Sequence, residues 1–131
     1  MIDPDKRIAL INYRLSQSEE TLSDALLLIE SGRYRSAVNR IYYSVFYTLL
    51  ALGLKYQFET SKHAQLVGWF NKNFVHENLI PLELGAILKR LFENRTSGDY
   101  DEFSNFEHDE VVLLYENSKL FIKEIESLLK K

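Results

Sequence analysis

Ser36-Ala37-Val38-Asn39-Arg40-Ile41-Tyr42-Tyr43-Ser44-Val45-Phe46-Tyr47 is the stretch on which the fold turns. Val38, Ile41 and Val45, followed by Leu49 and Leu52, recur at helical steps. They therefore share one side of a helix predicted to run from about Tyr34 to Leu52. Tyr42, Phe46 and Leu50 make a second apolar side. A helix that is apolar on two sides belongs at the centre of a bundle. Gly53 is expected to end it.

Upstream, Asp3-Pro4 has the form of a helix start, with Asp3 as N-cap and Pro4 in the first helical position. Ile8, Ile11, Leu15, Ser18, Leu22, Ala25 and Ile29 then form one stripe of a helix of about seven turns, stopped by Ser31-Gly32. Downstream, Thr60 or Ser61 is expected to cap a third helix that runs to about Phe74, with Leu66, Trp69 and Phe70 inward. Pro81 opens a fourth, in which Leu84, Ile87, Leu88 and Leu91 share a face, and which should fray near Thr96-Ser97-Gly98. Asp99 to Glu110 holds six acids and no Lys or Arg, and reads as an exposed loop. Val111, Leu114, Ser118, Phe121, Ile125 and Leu128 mark the last helix, with Lys130-Lys131 at its negative end. No strand-like alternation, repeat or linker interrupts this order. The expectation is one all-α domain over residues 1–131, an antiparallel bundle of four to five helices.

Composition narrows the function. The 131 residues are 46% hydrophobic and 27% charged, as in an ordinary globule. Cysteine is absent, so neither disulfides nor thiolates take part. The charged N-terminus, Asp3-Pro4-Asp5-Lys6-Arg7, lacks the apolar run of a signal peptide. No stretch approaches the roughly 18–20 apolar residues that span a bilayer. These features make a cytoplasmic location, without a membrane partner, the expectation. A net charge of −3 argues against coating nucleic acid by bulk electrostatics, though not against a local basic site. His63, His76 and His108 are separated by 13 and 32 residues, which matches no usual helical ligand pair, so no metal site and no cofactor is expected. There is no GxGxxG, Walker or nucleophile-elbow motif.

Two clusters can carry chemistry. Arg33, Arg35 and Arg40 surround the start of the second helix, followed by Tyr42, Tyr43 and Tyr47. Arginine offers forked donors to phosphate, and tyrosine offers stacking faces. The plainer alternative is arginines paired with acids and tyrosines in the core. The second cluster, Glu93-Asn94-Arg95-Thr96-Ser97-Gly98-Asp99-Tyr100-Asp101, lies at a helix–loop junction. There Arg95 can clamp a phosphate, Asp99 can orient Arg95, and Tyr100 can contact a base. A helix cap with a surface ion pair is the alternative.

Ser36 to Tyr47, Lys62-His63 and Arg95-Thr96-Ser97-Gly98-Asp99-Tyr100 together resemble, in order and spacing, the small prokaryotic HEPN proteins. The resemblance spans nearly the whole chain. It implies a helical bundle that pairs as a homodimer. It also implies a metal-independent ribonuclease site where two copies of an arginine-to-histidine motif meet, often in toxins silenced by a neighbouring nucleotidyltransferase antitoxin. Other members of the family bind a nucleotide or act as non-catalytic partners.

The motif's arginine falls on Arg95. Its histidine, four to six residues on, would fall at 100 to 102, which are Tyr100, Asp101 and Glu102. RNA cleavage without metal needs a group that handles protons near neutral pH, a role suited to histidine. The expected catalytic set is therefore Arg95, Asp99, Tyr100 and His63, the last brought in by folding, with Arg40 and Tyr43 holding RNA or a nucleotide. The Arg95 guanidinium is expected beside the Arg40 and Tyr43 surface, facing its symmetry mate.

Overall fold

The computed structural model describes residues 3–100 and 106–131, and for 94–100 the backbone alone. Five helices follow one another among them: α1 Pro4–Glu30, α2 Tyr34–Lys55, α3 His63–Phe70, α4 Leu82–Tyr100 and α5 His108–Leu129. A π-helical turn, Asn71–Val75, continues α3. The all-α bundle is as the periodicity predicts.

Helix α2 packs against each of the other four helices, and Ile41, Val45, Leu49 and Leu52 along it are fully buried. Its direction fixes the topology. The start of α2 meets the start of α5, where the Tyr34 ring lies edge-on to His108 with centroids 5.8 Å apart. Their ends meet too: Lys55 Nζ donates to the carbonyls of Leu128 and Leu129 at 3.0 and 3.1 Å. Helices α2 and α5 thus run parallel, and α1, joined to α2 by the tight turn at Gly32, runs antiparallel to α2.

Two serines that interrupt the apolar stripes are part of the core. Ser18 and Ser118 are buried. The Ser18 hydroxyl donates to the Ser44 carbonyl on α2 at 2.6 Å, and its small side chain lets α1 and α2 approach closely. Ser44 and Thr48 return their own hydroxyls to carbonyls one turn back, so these buried groups are also paired. The α1 terminus closes with Gly32 at φ 75°. Arg33 N–H there reaches the Leu28 carbonyl, and Gly32 N–H reaches that of Ile29. This Schellman arrangement satisfies the last carbonyls of the helix.

Several boundaries differ from expectation, each for a physical reason. Asp3 stands at the N-cap of α1 but makes no side-chain cap bond. Ile8 is 58% exposed, because α1 has 27 residues against 22 in α2 and its first turns outrun the helix beside it. Gly53 does not end α2; it is buried, and a Cβ there would lie 2.6 Å from the Phe58 carbonyl oxygen. The glycine permits close approach, and the reversal of the chain falls to Gln57 at φ 60°. Helix α3 starts at His63, two residues later than a Thr60 cap predicts and one later than a Ser61 cap, because the Thr60 hydroxyl accepts from Lys62 N–H in a preceding turn. Val67 is buried, whereas Trp69 is half-buried and stacked 5.0 Å from Phe58. The backbone of α4 stays helical through Thr96-Ser97-Gly98 to Tyr100. One glycine costs a helix only about 1 kcal/mol, too little to break it here. His108, Asp109 and Glu110 belong to α5 rather than to an acidic loop, and the two acids face the positive end of the helix dipole.

Candidate functional site

Three elements converge on Tyr42. Four residues of helical rise separate it from Phe46 on α2, so both rings lie on one side of the helix, stacked with centroids 5.9 Å apart. From α4, the Phe92 ring lies 6.4 Å from Tyr42. From the first turn of α3, His63 Nδ1 is hydrogen-bonded to the Tyr42 hydroxyl at 2.8 Å. Tyr42 itself is 1% exposed, so this polar contact is made inside the protein.

The imidazole is clamped on its faces as well. His63 stacks on Phe46 with centroids 4.0 Å apart and planes 25° from parallel, and lies edge-on to Tyr43 at 6.0 Å. Tyr43 continues outward to Tyr47 at 6.2 Å. His63 and Tyr43 are both half-buried, so the cluster grades from a sealed base at Tyr42 to a solvent-reached rim. Contact with a ligand at the rim is open to an imidazole and a phenol, the pair suited to hydrogen bonding and base stacking.

Of the residues expected from sequence, His63 and Tyr43 are brought together. Arg40 is exposed on α2 one turn before Tyr43, so it borders the rim without sharing the cluster. Arg33 and Arg35 are exposed near the start of α2. Arg95, Asp99 and Tyr100 lie on the last turns of α4, but their side chains are outside the described residues. The expected meeting of the Arg95 guanidinium with Arg40 and Tyr43 therefore also lies outside them. Along the backbone, Arg95 follows Phe92 by about one turn, and Phe92 packs on Tyr42.

The sequence puts Tyr42 in the arginine–tyrosine cluster, but the expected site takes only Tyr43 from it, and Phe92 is missed. Helical spacing puts the Tyr42 ring in the core, and the cluster reading offers it as a stacking face; neither accounts for its hydroxyl. A tyrosine predicted to be buried needs a partner for that hydroxyl, and this was the available signal.

Away from the cluster, the α2 face turned from the core carries Ser36, Arg40, Tyr43, Tyr47, Leu50 and Leu54. These are spaced alternately four and three residues apart. The last four are only half-buried. Beside Leu50 and Leu54 a cleft of about 530 Å³ separates α2 from Leu10 and Arg14 of α1. Among the described residues no helix is long and apolar enough to cross a membrane, and no group of three His, Asp or Glu side chains is placed to hold a metal ion.

Comparison with known proteins gives a match to the HEPN domain model over residues 11–128. The chain is 39% identical over 120 residues to a Thermotoga maritima protein named "UPF0332 protein", covering 92% of this chain and 91% of that one. It is 33% identical over 114 residues to a Methanocaldococcus jannaschii protein named "Putative toxin", covering 87% and 84%. A second protein of that organism with the same style of name is 29% identical over 115 residues, covering 88% and 78%.

Proposed function

The chain belongs to the HEPN domain family, and from that membership we propose that it is a toxin-type HEPN protein that cleaves RNA without a metal ion as a homodimer. Two relatives bear toxin names, which supports the first part of this reading. The observation that carries the ribonuclease part is the convergence on Tyr42 of His63 from α3 and Phe92 from α4. Along the α4 backbone Arg95 comes one turn after Phe92, which supports the assignment of Arg95 to the same site. In this reading Arg95 holds the scissile phosphate, Asp99 orients Arg95, and Tyr100 contacts a base. His63 supplies the imidazole that the chain lacks at 100 to 102, and Arg40 and Tyr43 hold the RNA.

The α2 stripe from Ser36 to Leu54 supports pairing. Its alternating spacing is that of a helix–helix seam, and its tyrosines and leucines are half-covered in the monomer. The test of activity is cleavage of single-stranded RNA by purified protein in a chelator. Arg95→Ala and His63→Ala should each lower it by about 100-fold or more. Cleavage at wild-type rate by both variants would remove the reading.

A second reading is favoured by one observation, the absence of histidine from positions 100 to 102. It is a non-catalytic HEPN module that binds a nucleotide or a nucleotidyltransferase antitoxin. This reading predicts no RNA cleavage, a nucleotide-dependent rise in Tm, and co-purification with a nucleotidyltransferase encoded next to it. A protein that cleaves RNA and shows neither effect excludes it.

A further inference from the structure

A buried phenol hydroxyl must find a partner, because leaving it unpaired costs about 1–3 kcal/mol. Tyr42 finds it across 21 residues of sequence, on the first residue of another helix. The identity of the partner atom matters more than the bond itself. An imidazole has two nitrogens, and they do different chemistry according to which one carries the proton. The stack on Phe46 sets the plane of the His63 ring, but a half-turn about the Cβ–Cγ bond keeps that plane and would exchange Nδ1 with a carbon. The Tyr42 bond at Nδ1 forbids that exchange. It also bears on where the proton sits. A phenol in water releases its proton near pH 10, and a neutral imidazole holds its N–H proton more strongly. Between the two, the more acidic phenol favours its O–H as the donor and Nδ1 as the acceptor.

We propose that Tyr42 is a positioning residue that holds neutral His63 as the Nε2–H tautomer. His63 then meets RNA as a hydrogen-bond donor to a phosphate oxygen and not as the base that takes the 2′-hydroxyl proton. The part that concerns RNA rests on the ribonuclease reading above; the part that concerns the tautomer does not. A ring in this form carries its proton on the nitrogen remote from Tyr42. That proton stabilises charge developing on a phosphate, as a backbone N–H does in an oxyanion hole. No lone pair is left on that nitrogen to remove a proton, so the base of the reaction is a different group.

Nitrogen-15 spectra of the labelled full-length protein decide the tautomer. At a pH where the ring is neutral, the wild type should show Nδ1 as a bare, hydrogen-bonded acceptor and Nε2 protonated. Tyr42→Phe keeps the ring and removes only the hydroxyl, and should move the Nδ1 resonance toward that of a free imidazole. A wild-type proton on Nδ1, or spectra unchanged by Tyr42→Phe, would overturn the assignment, and the wild-type spectrum decides even if the variant folds poorly.

The RNA role has its own readout. Tyr42→Phe should lower kcat at least about tenfold with KM unchanged. His63→Gln, whose amide can donate where Nε2 does but cannot act as a base, should retain at least about tenfold more activity than His63→Ala. Equal loss in the two would overturn the donor role. If the wild type cleaves no RNA, the ribonuclease reading and the RNA role of His63 fall together, and the spectra still test Tyr42 as the residue that fixes the ring.

Discussion

The two ends of α2 are held by different means. At the C-terminal end the atoms involved are mostly backbone: the Phe58 N–H donates to the Gly53 carbonyl at 2.8 Å, and Lys55 reaches the last carbonyls of α5. In the N-terminal half the contacts are side chain on side chain: Tyr42 with His63, Phe46 with His63, Phe92 with Tyr42. Backbone contacts accept many residues provided the space exists. Side-chain contacts specify residue identity. The first end should therefore respond to substitution in stability, and the second in chemistry.

The largest effect on stability is expected at Gly53. Gly53→Ala drives a methyl group to 2.6 Å from the carbonyl oxygen of Phe58, a residue whose N–H is hydrogen-bonded to the Gly53 carbonyl. Neither partner can move without breaking the turn into Phe58. A loss of about 3 kcal/mol is expected in urea unfolding, with an unchanged His63 spectrum in the folded state. Tolerance of alanine with the wild-type midpoint would mean that the close approach does not constrain this end.

Tyr42→Phe comes next, at about 1 kcal/mol, the usual worth of one buried hydrogen bond. The comparison sharpens here, because so small a change in stability should accompany a large change in His63. Lys55→Met should cost a similar or smaller amount, about 1 kcal/mol, since α5 loses the ammonium at its carbonyl end while keeping an aliphatic stem. Hydrogen exchange should quicken in the last turn of α5 and stay as it was around Tyr42. A loss of protection at both ends would show that the two are coupled.

Much of this division was readable in the sequence, and the rest was not for definable reasons. Apolar spacing located every helix and even assigned Ser18 and Ser118 to the core, because periodicity reports which way a residue points. It does not report what lies opposite. Ile8 has the right phase and no partner helix beside it. Gly53 looks like a terminator because sequence does not separate a glycine needed for positive φ from one needed for close packing. At the site, Tyr43 and His63 were named from motif resemblance, and the contact between their rings follows from the placement of α3, which no local pattern encodes. The partner of the Tyr42 hydroxyl follows from that same placement.

Arg40→Ala should have the smallest effect on the fold and isolates the rim from the base of the cluster. Arg40 is exposed, and among the described residues it makes no hydrogen bond or ion pair, so its removal should leave Tm and the His63 spectrum unchanged. If it holds an RNA phosphate, the loss appears in binding alone. RNA affinity should fall at low salt, and the slope of log affinity against log salt should become shallower by about 0.7, the value for one phosphate contact on a single strand. In a homodimer both copies lose the contact, and the change doubles if one RNA spans both rims. An unchanged salt slope would place the phosphate contacts elsewhere and leave Tyr43 as the only part of the α2 rim that touches RNA. Binding lost together with Tm would mean that rim and base are one structural unit, contrary to the graded burial that separates them.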